Sequence, residues 1–88
     1  MKTTGYINRW FEDRNYGFIR QLGGNNQYFL HGVNVKSGIP TTGAYVRFNS
    51  YPTNKGYGAS DAEVFSTRQE LDRADAADAF VESTGGVE

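Results

Sequence analysis

The chain has 88 residues, a net charge of −1, no cysteine and a single histidine, His31. This length allows one small domain, and the composition excludes disulfides and thiolate zinc sites and leaves little for a metal site built on imidazoles. Aromatic residues make up 15% of the chain and 11 residues are glycine, which favours short strands and tight turns. No apolar run approaches the about 18 residues of a transmembrane helix. We therefore expect a soluble, cytoplasmic, all-β protein with no metal, no cofactor and no membrane partner.

The small net charge averages two segments of opposite sign. Residues 1–67 carry seven basic and four acidic side chains, a net charge of +3, whereas residues 68–88 carry two basic and six acidic ones, a net charge of −4. The sequence therefore predicts a mildly basic body followed by an acidic tail. We divide the chain into a β domain over residues 1–66 and an acidic helix and disordered end over residues 67–88.

The first predicted strand covers residues 4–11, where β-forming side chains alternate. A regular alternation places Ile7, Arg9 and Phe11 on one face and Trp10 on the other. The polar stretch that follows predicts a short turn, so that this strand forms a hairpin with the next one.

Two further strands are predicted at residues 16–22 and 27–31, separated by a Gly-Gly-Asn-Asn turn that tolerates positive φ. With the first strand they form an antiparallel meander. Alternation gives each strand two faces, and one of these faces carries Tyr16, Phe18, Arg20, Phe29 and His31.

Residues 32–43 are predicted to form a long connection that turns its aliphatic side chains into the core, with room for one helical turn. A fourth and a fifth strand, at residues 44–51 and 60–65, are joined by a loop at residues 52–58. In the fourth strand, alternation predicts that Val46 and Phe48 are core residues and that Arg47 is exposed.

The tail has helical periodicity over about residues 68–82, beginning with Leu71. Thr67 and Glu70 have the spacing of a capping box. Most apolar positions of this helix are alanine, so we expect it to bury little area and to dock weakly. Residues 83–88 are predicted to be disordered.

Five short antiparallel strands with a long connection after the third suit a small closed barrel of the OB type, because closure removes exposed sheet edges. We therefore predict an all-β, five-stranded antiparallel OB barrel with a C-terminal acidic helix. The residues predicted to fill the inner face and form the core are Ile7, Ile19, Tyr28, Leu30, Val46, Phe48 and Val64.

The outer face is left with an exposed set of rings, predicted to be Trp10, Tyr16, Phe18, Phe29 and His31. A dense exposed aromatic patch marks a binding site. Unpaired nucleobases fit it, because each base stacked on a ring contributes about 1–3 kcal/mol and nearby cations hold the phosphates. The available cations are Arg9, Arg14, Arg20 and Lys55.

Two segments, RNYGFI from Arg14 and YFLH ending at His31, resemble the nucleic-acid-binding motifs K-G-F-G-F-I and V-F-V-H of bacterial cold-shock domains. The order and spacing of the flanking segments agree over about residues 4–65. The resemblance implies an OB barrel that binds single-stranded RNA or DNA and carries no catalytic group. Gly32 stands where the family has a further ring, and Tyr57 is a candidate replacement. The base and backbone contacts that the resemblance implies are Trp10, Arg14, Tyr16, Phe18, Phe29, His31 and Lys55.

Several alternatives stay open at this point. His31 either contacts a base or caps a loop, and Gly17 either allows tight curvature or marks a bulge. The acidic tail either keeps the domain soluble, competes with nucleic acid for the basic face, or recruits a protein partner. The whole protein, a monomer or weak dimer, is either a non-enzymatic single-strand binder or a protein-interaction module.

Overall fold

The structure is a computed structural model that describes residues 2–85, with side chains described up to residue 77. A long sheet made of six strands is followed by one helix. The elements are β1 (Thr3–Phe11), β2 (Tyr16–Gln21), β3 (Gln27–His31), β4 (Val35–Ser37), β5 (Tyr45–Thr53), β6 (Gly56–Phe65) and α1 (Arg68–Gly85).

Five of the strands close into a barrel. The sheet order is β3-β2-β1-β5-β6-β4, and β3 also pairs with β6. This additional pairing closes a ring of β3, β2, β1, β5 and β6 and leaves β4 on the outer edge of β6. The predicted closed five-stranded barrel is therefore confirmed, but the prediction of a purely antiparallel sheet is wrong. The β3–β6 and β4–β6 pairs are parallel. An odd number of strands in a ring cannot alternate in direction throughout, so closure itself requires a parallel pair.

The barrel interior contains the core that alternation predicted. All seven predicted core residues are buried, and Ile19, Leu30, Val46 and Phe48 are completely so. Ala59 and Ala62 of β6 fill the remaining inner positions. The core cluster also includes Ala44, and none of its buried members comes from the outward aromatic residues of β2 and β3.

Strand β1 departs from regular alternation. Its register with β2 shifts between Ile7 and Arg9, which is a β-bulge. Beyond the bulge Trp10 turns inward and packs against the core. Gly17 lies opposite Trp10, and a Cβ built there would be 2.6 Å from Trp10 Cε3. Gly17 therefore allows the close approach of β1, whereas the bulge itself lies in β1 and not at Gly17.

The connection from β3 to β5 contains the predicted helical turn, a 3₁₀ turn over Gly32–Asn34, and then the unpredicted strand β4. The expectation that its aliphatic side chains enter the core is wrong for two of them: Val33 is 77% exposed and Ile39 80% exposed. Only Val35 packs against the core. Because β4 pairs on the outer edge of β6, the connection runs outside the barrel.

The predicted loop at residues 52–58 is largely strand. β5 continues to Thr53 and β6 begins at Gly56, so Asn54 and Lys55 alone form the turn. Gly56 has φ of +135°, a conformation that L side chains rarely adopt and that glycine supplies. The hairpin is therefore a rigid extension of the sheet.

Helix α1 begins at the predicted cap, where the Glu70 amide donates to Thr67 Oγ1 at 3.2 Å. It packs on β5 and β6 and buries Leu71, of which 1% is exposed. It extends to Gly85, so the prediction of disorder is wrong for residues 83–85, and residues 86–88 lie outside the described residues. In the described part of the chain, no helix combines the length and apolar character needed to cross a membrane.

Arg47 is buried, not exposed as predicted, because α1 covers its strand. Only 4% of the residue is accessible. Its Nη1 lies 2.8 Å from Glu63 Oε1, and its Nε lies 3.3 Å from Asp75 Oδ1 on the helix. The helix is thus attached to the barrel by an apolar contact at Leu71 and an ion-pair network at Arg47.

Candidate functional site

Strand pairing aligns aromatic side chains in two rows on the outer face of the barrel, because residues opposite each other in paired strands point to the same side. The first row crosses β1, β2 and β3. It consists of Phe11, Tyr16 and His31.

The second row lies next to the first and is longer, since it continues through the pairing that closes the barrel. It consists of Arg9, Phe18, Phe29, Gly58 and Tyr51, on strands β1, β2, β3, β6 and β5 in that order.

Five rings of these rows contact one another, and we call them the ring cluster: Phe11, Tyr16, Phe18, Phe29 and His31. Tyr16 is central, with its centroid 5.4 Å from those of Phe11 and Phe29 and 6.3 Å from that of Phe18. The Phe18 and Phe29 rings meet edge to face at 5.9 Å. Mutual contact restricts the rotamers of these side chains, so little side-chain entropy is left to lose when a ligand binds.

The ring cluster is accessible to solvent. Phe29 is 36% exposed, and the other four rings are partly buried. The predictions that Tyr16, Phe18, Phe29 and His31 share the outer face are confirmed. The described part of α1 packs on β5 and β6, away from these rings.

The predicted placement of Trp10 on this surface is wrong, and Phe11 takes its place. The bulge in β1 shifts the alternation by one residue, so Trp10 packs against the core and Phe11 contacts Tyr16. Phe11 was on the predicted face of Ile7, and nothing in the local pattern marks the bulge. Only the pairing with β2 reveals which of the two adjacent rings is outside.

Of the two roles that the sequence left open for His31, the structure shows the loop cap, and the contact with a base stays a prediction. Its Nδ1 accepts a hydrogen bond from the Val33 amide at 3.2 Å, which caps the 3₁₀ turn. Its ring also lies 6.4 Å from that of Phe29. With Nδ1 as an acceptor, Nε2 is the position that carries a proton in the neutral ring and can donate outward.

Gly32, where the family motif has another ring, is held against the β1–β2 turn. Its amide donates to the Asn15 carbonyl at 2.8 Å, and a Cβ at this position would collide with the Asn15 side chain. Asn15 itself has φ of +57°. This close packing leaves no space for a side chain at Gly32, so the ring cluster ends at His31.

Exposed cations border the ring cluster. Arg14 lies in the turn before Tyr16, and Arg20 is the last outward residue of β2. Arg9 extends over the Phe11 ring, with Cζ 5.7 Å from the centroid. Their positive charge is available to a ligand on the rings, whereas that of Arg47 is engaged beneath α1.

A groove of about 780 Å³ separates the ring cluster from the β5–β6 hairpin. Tyr16, Phe18 and Phe29 form one wall, and the hairpin forms the other. The predicted residues Lys55 and Tyr57 both line it; Tyr57 is 51% exposed and contacts Tyr28 at 5.9 Å. The remaining lining residues are Gln27, Tyr28, Tyr51, Thr53, Asn54 and Gly56.

Sequence reasoning missed Tyr51, which is 38% exposed in this groove. The alternation that put Val46 and Phe48 inside also puts Tyr51 outside, so a signal was present. Tyr51 ends the predicted fourth strand, but its partner Gly58 falls in the predicted loop at residues 52–58, so the pattern shows no strand opposite Tyr51.

No protein-family model matches this sequence, and a search of curated proteins finds no significant match. The interpretation of the site therefore depends on its geometry and on the two short motifs.

Proposed function

We propose that the protein binds single-stranded RNA or DNA by stacking unpaired bases on the ring cluster. The observation that carries the proposal is a connected set of five solvent-accessible rings on one face, each in contact with at least one other, bordered by Arg9, Arg14 and Arg20. Rings supply stacking platforms for bases, and cations supply counter-charges for phosphates. Tyr16, Phe18 and Phe29 are the main platforms, with Phe11 and His31 at the edge.

The ligand in this proposal is single-stranded for a geometric reason. In a duplex the faces of the bases are already covered by their neighbours, and a protein reaches only edges in the grooves. A surface of exposed rings offers contact to base faces, which unpaired nucleotides alone expose. Stacking is similar for all bases, so we propose broad binding without strong sequence preference.

The closed barrel supports assignment to the OB architecture of cold-shock type, since that architecture displays its ligand on strands β2 and β3. We propose binding without catalysis. His31 carries the one imidazole among the ring cluster residues, and its Nδ1 already accepts a hydrogen bond from the Val33 amide.

Fluorescence anisotropy with labelled oligo-dT and oligo-U tests the proposal. Phe18→Ala and Phe29→Ala should each weaken binding by about 5- to 150-fold, since about 1–3 kcal/mol of stacking is lost per base. Ile39→Ala, which removes an exposed side chain away from the ring cluster, is the control and should bind like the original chain. Added salt should weaken all binding.

Two results would count against the proposal: no binding at micromolar strand concentrations, or ring variants that bind as well as the Ile39→Ala control. Either would favour the alternative of a protein-interaction module.

A further inference from the structure

The second aromatic row has a gap in its middle. Gly58 of β6 lies opposite Phe29 on one side and opposite Tyr51 on the other. A Cβ at Gly58 would be 2.5 Å from Tyr51 Cζ, so the Tyr51 ring lies over this glycine. Because Gly58 has no side chain, Phe29 and Tyr51 face a common space, the groove described above.

We propose that this groove holds one further unpaired nucleotide, with its base against Tyr51 and its phosphate on Lys55. This inference rests on the proposed function and extends the bound strand from the ring cluster onto the β5–β6 hairpin. The strand then follows the second row across the barrel, from Phe18 over Phe29 to Tyr51.

The chemistry of the groove favours a nucleotide. Its walls are aromatic, and its polar lining includes Gln27 and Asn54, whose amides carry both donors and acceptors, as base edges do. Among the residues that the structure describes, the lining includes Lys55 and no carboxylate, which suits a phosphate. A volume of about 780 Å³ lies within the about 300–1,000 Å³ of small-ligand sites.

The hairpin holds these groups in fixed positions. The Lys55 amide donates to Thr53 Oγ1 at 3.2 Å, and the Thr53–Gly56 pair closes the ladder directly behind the turn. The Tyr51 ring packs against Gly58. The Tyr51 ring and the backbone that carries Lys55 are therefore positioned before the ligand arrives, which reduces the entropy lost on binding.

The test compares strand lengths. OB folds bind from about 4 to about 16 nucleotides, so oligo-dT of about 4 nucleotides fills the ring cluster alone and one of about 12 also reaches the hairpin. Tyr51→Leu keeps an apolar cover on Gly58 but removes the ring. This substitution should weaken binding of the long strand by about 5- to 150-fold and leave binding of the short strand unchanged.

Three controls make the outcome specific. Tyr51→Phe keeps the ring and should bind both strands normally. Lys55→Gln should lower the salt slope for the long strand by about 0.7, whereas Lys36→Gln, an exposed lysine on β4 outside the groove, should not. Thermal unfolding of each variant shows whether the fold is intact.

The outcomes separate the two proposals. In two cases the additional subsite is refuted and the ring cluster stands, provided that Phe29→Ala weakens binding of both strands. In the first case, Tyr51→Leu binds the long strand normally. In the second, the folded Tyr51→Leu variant loses affinity for both strands equally. If Phe29→Ala has no effect on either strand, the proposed function fails and this inference fails with it. Tight binding of aromatic peptides in place of nucleic acid also overturns both.

Discussion

The attachment of helix α1 can be tested at Arg47, because two of its carboxylate partners, Glu63 and Asp75, differ in exposure. Glu63 lies 2.8 Å from the guanidinium and its side chain is 21% exposed, whereas Asp75 lies 3.3 Å away and its side chain is 51% exposed. Solvent screens the more exposed pair. We therefore expect the two acidic residues to contribute unequally to the free energy of unfolding.

The magnitudes follow from burial. Glu63→Gln removes the charge from the shorter contact and also from its contact with Lys2 Nζ at 3.4 Å. A hydrogen bond to a charged group contributes about 1.5–3 kcal/mol, so a loss of about 2 kcal/mol should lower Tm by roughly 8–16 °C in a domain of this size. Asp75→Asn removes the charge from the longer contact, whose carboxylate is 51% exposed and screened by solvent, so we expect a smaller loss of about 0.2–1 kcal/mol, or at most about 8 °C.

Thermal unfolding followed by circular dichroism measures the difference. Glu12→Gln, an exposed acidic residue of the β1–β2 turn, is the control and should leave Tm unchanged. The effect of Asp75→Asn should shrink in about 1 M salt, where the screening length is about 3 Å, while that of Glu63→Gln persists. The reasoning is refuted if Asp75→Asn destabilises as much as Glu63→Gln, or if neither variant differs from the control.

Two further predictions concern the bulge in β1 and the acidic helix. Gly17→Ala should lower the free energy of unfolding by about 1–3 kcal/mol, because the added methyl group would collide with the Arg9 carbonyl and the Trp10 ring. Urea unfolding measures this change, and an unchanged unfolding midpoint contradicts the prediction. Asp72→Asn should leave oligo-dT affinity unchanged at moderate salt, since α1 packs on β5 and β6 away from the ring cluster; tighter binding would instead support competition by the tail.

Local pattern predicted the parts of the site that lie in regular strands. Tyr16, Phe18 and Phe29 face outward because neighbours two residues apart share a face, and no distant contact is needed to establish that. The same rule placed Ile19 and Leu30 in the core. The helix start at Thr67 was also predictable, since a cap involves only residues within one turn.

The local sequence pattern gave the wrong side-chain placement wherever contact with a distant strand or helix determines which face or which degree of burial a residue has. Trp10 and Phe11 exchange faces because of a bulge that exists only in the pairing of β1 with β2. Arg47 is buried because α1 packs over its strand, a contact with Asp75. Tyr51 joins the aromatic rows only through closure of the barrel.

The sequence by itself therefore determined which residues of the regular strands form the core and which rings face the solvent, because side-chain alternation is a property of a single extended strand. Only the tertiary structure decided how far the aromatic surface extends and where the charges lie. Bulges, the parallel pairing of β3 with β6 and the docking of α1 are interactions between residues far apart in the chain, and no short stretch of sequence contains the information about both partners.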